Sequence, residues 1–342
     1  MADVASAGTI AVAPPRNRWL STIARQRELS LVAMMFVLGA GVSMVAPQFL
    51  SISNFSQVAS LAAVIAVVAV GEAIVFITRN IDLSVEATIG LVAYCVARVL
   101  ELNALEPVAA VAMGLGLGLV LGMVNGVVVA LLKVPSIVAT LGTLSIFRGI
   151  DYVIAGSHQV PLAGLPPGFT DPARDSILGI PIFVLIALAV VTIGTLILRS
   201  TTFGRQVYAV GSNPEAAAVL GIPSRRVVFV AFTACGLLAG LAGVMWVMQF
   251  GTISGTAATG AVLGIVAAVV VGGVSTLGGS GTLAGAALGA LFLGFIATAL
   301  ILVGLSQFWL QAIYGVVILV AISTDQLIRR SLQRATTRSI AR

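Results

Sequence analysis

Charged side chains are scarce in this sequence. Asp, Glu, Lys and Arg make up only 9% of the 342 residues, whereas a soluble globular domain carries about 25%. Apolar residues account for 59% of the chain, and the mean hydropathy is +1.13. This balance excludes an ordinary water-soluble domain and indicates an integral membrane protein.

The residue patterns of common active sites are also missing. The sequence has no HExxH, no GxSxG and no phosphate-binding G-x-x-x-x-G-K-[ST]. Its one histidine is His158, and its two cysteines, Cys95 and Cys235, lie far apart inside apolar runs. We therefore predict no catalytic residue, no metal site and no cofactor in this chain. The pI of about 10.1 reflects charge that orients a membrane protein rather than nucleic-acid binding.

Long continuous apolar runs recur along the whole chain. A helix needs about 20 apolar residues to cross a bilayer, whereas barrel strands are shorter and alternate in polarity. The runs therefore predict an all-α, polytopic membrane protein with about ten transmembrane helices. The candidate helices are 29–50, 57–78, 83–101, 107–132, 135–155, 178–199, 226–250, 259–276, 282–304 and 309–327.

Positive charges assign the orientation. With the N-terminus in the cytoplasm, 15 of the 18 Lys and Arg residues fall on the cytoplasmic side, as the positive-inside rule requires. Both termini are then cytoplasmic, in the inner membrane of a bacterium. The predicted divisions are a cytoplasmic tail (1–28), a membrane domain (29–328) containing a cytoplasmic loop (200–225), and a basic cytoplasmic tail (329–342).

Glycines recur at helical spacing in three segments. Small residues let helix backbones approach closely in lipid, so these faces predict tight packing inside the bundle or, alternatively, a subunit interface. The three sets are Gly114, Gly118, Gly122 and Gly126; Gly236, Gly240 and Gly243; and Gly281, Gly285 and Gly289.

Two apolar runs are interrupted by polar segments, "TRNIDLSVEATIG" (78–90) and "GGVSTLGGSGTLAG" (272–285). Broken segments at matching positions of two halves are typical of transporters with an inverted internal repeat. The pair therefore predicts such a repeat, with its pseudo-two-fold axis in the membrane plane.

A few charges lie within the predicted helices, where each must face protein, water or another charge. Arg148 and Asp151 share one helix face, as a structural ion pair or as a lining of the external mouth. Glu72 is a paired residue near the cytoplasm or, alternatively, a proton-coupling carboxylate. No second carboxylate lies at helical spacing from Glu72.

The stretch "GRQVYAVGSNPEAAAVLGIPSRR" (204–226) is polar and predicts one short helix. Ser212 or Asn213 can cap it, Pro214 suits its first turn, and Glu215 suits its positive end. Gly221 can end it in the left-handed conformation. A helix this short is marginal in water, so it needs a partner surface, either on this protein or on another.

The chain resembles the permease subunits of ATP-binding-cassette sugar importers of the ribose-type branch. The likeness runs from about residue 55 to 325. Its motifs are "ITRNIDLSV" (77–85), "VPSIVATLGTLSIFRGI" (134–150), "VVGGVSTLGGSGTLAGAALGALFLG" (270–294) and "WLQAIYGVVILVAISTD" (309–325). The versions "TRNIDLSV" and "IVATLGTL" look more like rhamnose or autoinducer-2 permeases than like ribose permeases.

The resemblance implies the ten-helix fold of vitamin B12-type importers. It also implies three partners: a cytoplasmic ATPase subunit that binds ATP and Mg, a periplasmic sugar-binding protein, and a second permease copy or paralogue. A short cytoplasmic helix would fit a groove on the ATPase. The ATPase-coupling residues would be Gly204, Arg205, Asn213, Pro214, Glu215, Ala216, Ala217, Gly221, Arg225 and Arg226.

By the same resemblance the chain would carry a monosaccharide through the membrane by alternating access. The residues expected to line or gate the path are Asp82, Ser84, Thr140, Thr143 and Arg148. The competing interpretation is an ion-coupled secondary transporter of a small polar solute, which needs carboxylates within the membrane.

Overall fold

The structure is a computed structural model that describes residues 27–250, 252–306, 308–320 and 322–323. Nearly all of the predicted tail 1–28 and the whole of tail 329–342 lie outside these residues. Within the described ranges the helices are α1 (Arg27–Ser43), α2 (Ile52–Ile77), α3 (Val85–Glu101), α4 (Pro107–Gly126), α5 (Ser136–Ala155), α6 (Ile182–Ser200), α7 (Thr202–Ser212), α8 (Pro214–Val219), α9 (Ser224–Gln249), α10 (Ala261–Val271), α11 (Leu283–Leu302) and α12 (Trp309–Val320).

Six of the described helices are long and apolar enough to cross a membrane. They are α2, α4 extended by a π-helical turn to Leu131, α5, α6, α9 and α11. Each of the ten segments predicted from the sequence overlaps a described helix. α10 has only 11 residues, which is a rise of about 16 Å against a hydrocarbon core of about 30 Å.

Burial separates a central helix from a peripheral one. In α2, 89% of the most apolar window is buried inside the protein, whereas in α6 only 17% is buried. α2 therefore lies in the middle of the bundle, with α9, α10 and α11 among its packing neighbours. The apolar surface of α6 faces outward, where lipid would surround it.

The glycine faces pack helix against helix within this one chain. A Cβ added to Gly118 would lie 2.5 Å from the Gly236 carbonyl oxygen, so α4 and α9 meet backbone to backbone. A Cβ on Gly289 would overlap the Ala268 carbonyl oxygen in the same way, where α11 meets α10. The prediction of tight packing inside the bundle is confirmed for these faces.

The same packing pattern occurs twice along the chain. α2 packs on α10 and α11, and α9 packs on α3 and α4. The neighbours α3 and α4 contact each other, as do α10 and α11. The arrangement around α2 is thus repeated around α9.

The two broken segments meet on one side of the molecule, which corrects their predicted equivalence. Arg79 Nε donates to the Leu277 carbonyl oxygen (2.8 Å), and Gly279 N donates to the Ile77 carbonyl oxygen (2.9 Å). An inverted repeat puts equivalent segments on opposite sides of the membrane, so these two are not equivalent. In the repeated packing, the counterpart of the link between α2 and α3 is the link between α9 and α10.

The helical prediction omitted four strands of two residues each: β1 (Val160–Pro161), β2 (Ser176–Ile177), β3 (Ile180–Pro181) and β4 (Thr252–Ile253). β1 pairs with β4 in antiparallel register, with Val160 opposite Ile253. This pairing ties the long connection after α5 to the connection after α9. β2 and β3 form a hairpin that leads directly into α6.

Candidate functional site

The polar loop contains two helices, α7 and α8, where the sequence predicted one. α7 begins at the side chain of Thr201, whose hydroxyl oxygen accepts from Gly204 N (3.2 Å). Its valines Val207 and Val210 are buried. The Tyr208 hydroxyl donates to the Gly281 carbonyl oxygen (2.9 Å), and burial raises the pKa of that phenol. α7 is therefore held against the rest of the protein along one face.

The end of α7 is wedged between the two broken segments. A Cβ on Gly211 would overlap the Ile77 carbonyl oxygen and lie 2.6 Å from Gly279 N. The neighbouring Ser212 hydroxyl donates to the Gly279 carbonyl oxygen (3.5 Å). The end of α7 therefore contacts both the link between α2 and α3 and the link between α10 and α11.

α8 has the cap that the sequence predicted. Asn213 Oδ1 accepts from Glu215 N (3.1 Å) and Ala216 N (3.0 Å), while Pro214 occupies the first turn. Gly221 follows the helix with φ +74°, the left-handed conformation that ends helices at glycine. Of the two candidate caps, Asn213 is the one used.

The predicted coupling residues divide by exposure. Asn213, Glu215, Ala216, Gly221, Arg205, Arg225 and Arg226 are exposed. Gly204 lies in α7 rather than in the short helix, and it is packed so closely that a Cβ would overlap the Leu198 carbonyl oxygen. Ala217 is buried on the protein's own surface. Gly204 and Ala217 therefore pack the two helices against the rest of this chain.

Two apolar residues at the end of α8 were not predicted. Val219 is 87% exposed and Leu220 is 77% exposed, although both belong to a polar cytoplasmic loop by sequence. Together with Ala216 they form an uncovered apolar surface, which we call the α8 surface. The signal in the sequence is an apolar pair just before the terminating Gly221, where a solvated helix would carry polar residues.

Two carboxylates that do not lie on the same helix are close together in space. Glu72 and Asp82 are both buried, and Asp82 N donates to Glu72 Oε1 (2.9 Å). Ser84 N and its hydroxyl donate to Asp82 Oδ1 (2.9 and 2.6 Å). Helical spacing could not pair Asp82 with Glu72, because the chain turns back between α2 and α3.

The remaining members of this inner cluster are Asn125 and Cys235. Asn125 Nδ2 donates to Asp82 Oδ2 (3.1 Å) and to the Ser84 hydroxyl oxygen (2.7 Å). The Cys235 thiol donates to Glu72 Oε2 (3.5 Å). Cys235 is thus a core residue, as predicted, with a polar partner. The cluster joins α2, α3, α4 and α9 around the first broken segment.

We expect Asn125→Leu to lower the free energy of unfolding by about 1–3 kcal/mol, because Asp82 Oδ2 would stay buried without this donor. Thermal unfolding of the purified protein in detergent measures the change. Thr233→Val is the matched control, since among the described residues its hydroxyl donates to the Phe229 carbonyl oxygen of its own helix. Equal midpoints for the two variants would contradict a structural role for Asn125.

A second cluster surrounds Arg148. Its guanidinium contacts Asp151 (3.5 Å) and Glu86 (3.8 Å) and donates to the carbonyl oxygen of Ala257 (2.8 Å). Glu86 Oε2 also accepts from Gly260 N (2.9 Å) and Val262 N (3.1 Å), at the start of α10. This outer cluster therefore links α3, α5 and the connection before α10. The Arg148–Asp151 pairing predicted from their spacing is confirmed.

The five residues predicted for a translocation path do not form one group. Asp82 and Ser84 belong to the inner cluster and Arg148 to the outer one. Thr140 donates to the Ser136 carbonyl oxygen (2.8 Å), and Thr143 donates to that of Thr140 (3.3 Å). All five are buried within this chain, so in this conformation each serves helix packing. A role in the path stays a prediction.

Among the residues that the structure describes, no three His, Cys, Asp or Glu side chains are grouped so that they could hold a metal ion.

Comparison with known proteins identifies the family. Residues 54–322 match the family described as "Branched-chain amino acid transport system / permease component", so the chain belongs to this permease family. It is a multi-pass membrane protein of a transport system. No solved structure matches the chain significantly.

Curated relatives match over most of the chain. The autoinducer 2 import system permease protein LsrC of Salmonella typhi is 39% identical over 306 residues, which cover 90% of this chain and 86% of the relative. The LsrC protein of Escherichia coli (strain K12 / DH10B) is 36% identical over 315 residues, covering 92% and 91%. These relatives confirm the likeness to importer permeases that the sequence motifs indicated.

Proposed function

We propose that this chain is the membrane-spanning permease subunit of an ATP-binding-cassette importer in the bacterial inner membrane. Its cargo would be autoinducer-2 or a related monosaccharide, such as rhamnose or a ribose-like sugar. The family membership and the LsrC relatives support the class of cargo. A periplasmic binding protein would deliver it, and a second permease copy or paralogue would complete the path.

The proposed architecture has ten crossings, with both termini in the cytoplasm, and the fold of vitamin B12-type permeases. Its inverted repeat would relate α2 to α9, α3 to α10, and α4 to α11. The repeated packing pattern supports this correspondence. The six helices of full length supply most of the crossings, and the shorter α1, α3, α10 and α12 supply the others.

The α8 surface is the observation that carries the proposal. An isolated helix of six residues has little stability in water, yet α8 is well capped and exposes Val219 and Leu220 instead of burying them. An apolar patch on an otherwise polar loop is typical of a protein interaction site. The expected partner is the cytoplasmic ATPase, which alone would bind ATP and Mg. Arg205, Arg225 and Arg226 would meet acidic residues around that contact.

The contacts of α7 give a route from the ATPase to the membrane. Movement of α8 with the ATPase would be transmitted to α7, because only Asn213 separates the two helices. α7 touches both broken segments through Gly211 and Ser212. The first broken segment follows α2 and carries Asp82 of the inner cluster. The second broken segment leads into α11. Movement of the ATPases would therefore reorient helices around Asp82 without passing through flexible loops.

One observation favours the second candidate, an ion-coupled transporter. The buried carboxylates Glu72 and Asp82 lie together, as such a transporter would need. The importer is the better conclusion, because the α8 surface has no use in a transporter that works without a cytoplasmic subunit.

Reconstitution distinguishes the two. The chain is purified with an ATPase and a periplasmic binding protein encoded beside it, and placed in lipid vesicles. ATP hydrolysis that rises with binding protein loaded with autoinducer-2, rhamnose or ribose is expected. Uptake that follows an imposed proton or sodium gradient, without ATP, would overturn the importer in favour of the ion-coupled transporter.

We expect the double change Val219→Asp and Leu220→Asp to abolish co-purification with the ATPase while the chain still inserts and folds. Desolvating two carboxylates in an apolar contact costs several kcal/mol, more than such a contact returns. The matched control is Leu102→Asp. Leu102 is 58% exposed and directly follows the C-terminal end of α3, whereas the first broken segment lies at the N-terminal end of that helix. Equal recovery of the ATPase by both proteins would show that the α8 surface is not the contact.

Glu215→Arg reverses the charge at the positive end of α8. The unfavourable interaction of the new positive charge with the helix dipole costs about 0.3–1 kcal/mol. Because Glu215 is exposed, the change should not disturb the packing of the membrane domain. We expect normal insertion with transport uncoupled from ATP hydrolysis, measured as sugar uptake per ATP consumed. Wild-type uptake and ATPase binding would count against the assignment of α8.

A further inference from the structure

The hairpin before α6 has an unusual tip. Ser176 pairs with Pro181 and Ile177 pairs with Ile180, leaving Leu178 and Gly179 as a two-residue turn. Both turn residues have positive φ, +54° for Leu178 and +80° for Gly179. A turn of this kind favours Asn-Gly or Asp-Gly, because the short polar side chain tolerates the left-handed conformation.

Leu178 gains no burial against the described residues by adopting this conformation. The left-handed region costs a residue with a Cβ about 1–2 kcal/mol, and 97% of Leu178 is exposed. Its neighbours Ile177 and Ile180 are 57% and 43% exposed. Three large apolar side chains thus project from a hairpin that contains no charged residue between positions 176 and 181.

The position of the hairpin identifies what covers these side chains. It leads without a break into α6, and Ile182 N donates to the Asp175 carbonyl oxygen (3.1 Å), which fixes the hairpin to the first turn of the helix. α6 is the candidate span with the least buried apolar window, 17%, so most of its apolar side chains face outward, where a bilayer would surround them. The hairpin tip therefore continues this outward apolar surface at the N-terminal end of α6, where the apolar span begins.

We propose that the hairpin Ser176–Pro181 is a membrane anchor that inserts Ile177, Leu178 and Ile180 into the bilayer interface at the N-terminal end of α6. Apolar side chains at this depth are buried about 5–10 Å into the boundary between headgroups and acyl chains. The hydrophobic gain from burying Leu178 there offsets the conformational cost of its turn. The charged residues Asp171, Arg174 and Asp175 precede the hairpin and stay in the aqueous phase.

Such an anchor has a use in the proposed importer, although the inference does not rest on it. The connection between α5 and α6 carries β1, which pairs with β4. Fixing one end of this connection in the bilayer limits its motion relative to the membrane. The external surface formed by β1 and β4 would then keep one orientation toward a binding protein.

A spin-label experiment tests the anchor without any transport assay. A nitroxide is attached at Ile177→Cys in a Cys95→Ala background, where the fully buried Cys235 stays unlabelled. The full-length protein is placed in vesicles of phosphatidylcholine and phosphatidylglycerol. Collision with oxygen, which partitions into lipid, is compared with collision with a water-soluble nickel chelate. The control label is at Asp175→Cys, which is exposed.

We expect the label at 177 to collide severalfold more with oxygen than with nickel, and the label at 175 to show the reverse. Leu178→Asn is then added to the labelled Ile177→Cys protein. Asparagine suits the left-handed turn, so the hairpin is kept, while the label should move toward the nickel chelate. Equal collision ratios at 177 and 175 would overturn the anchor. So would protection of 177 only after a binding protein is added, which would make the tip a protein contact.

Discussion

Gly211→Ala is expected to be among the most damaging single changes in this protein. The added Cβ would overlap the Ile77 carbonyl oxygen and lie 2.6 Å from Gly279 N. Both are backbone atoms at the ends of packed segments, so neither can rotate away as a side chain could. Overpacking costs about 1–3 kcal/mol even where side chains adjust, and we expect a loss at the upper end of that range. The midpoint of thermal unfolding in detergent measures it.

Gly116→Ala is the matched control for this change. Gly116 lies in the middle of α4 with no atom within 4 Å of the added Cβ, so alanine there should stabilise the helix by up to about 1 kcal/mol. In the reconstituted importer, Gly211→Ala should also lower cargo uptake, because the mutation displaces α7 from both broken segments. Stability and uptake equal to those of Gly116→Ala would refute the close packing of α7.

Arg148→Met should have a comparably large effect. The change leaves Asp151 buried with no cation beside it and removes a donor from the Ala257 carbonyl oxygen. Breaking a buried ion pair on one side typically costs about 3–5 kcal/mol, because the remaining charge stays uncompensated. The expected result is a large drop in the unfolding midpoint and in the yield of monodisperse protein.

The double variant Arg148→Met, Asp151→Leu separates lost charge balance from lost packing. With both charges gone, the apolar pair fits a buried site, and much of the stability of Arg148→Met should return. Glu86 loses its contact with Arg148 in the double variant, but its carboxylate still accepts hydrogen bonds from Gly260 N and Val262 N. A double variant no more stable than Arg148→Met would show that the contacts of Arg148 to carbonyl oxygens matter more than its pairing with Asp151.

The sequence predicted most of the helices and the local structure around α8 in the loop 200–225. Apolar runs identified every segment that contains a long described helix, since burial in lipid demands near-continuous hydrophobicity. The cap at Asn213 and the left-handed Gly221 follow from interactions within a few residues. The sequence did not predict α7, because only part of it is apolar. Its buried face, which includes Val207, Val210 and Gly211, is defined by contacts with distant parts of the chain.

The family and the class of protein were determined by the sequence alone: composition requires a membrane protein, and long ordered motifs mark an importer permease. The tertiary structure decided which distant residues share a site. It brought Asp82 to Glu72, Gly211 to Ile77 and Gly279, and Arg148 to Glu86 and the segment before α10. Helical spacing describes neighbours on one helix only, whereas these contacts depend on where the chain turns back and on which helices glycine allows to approach.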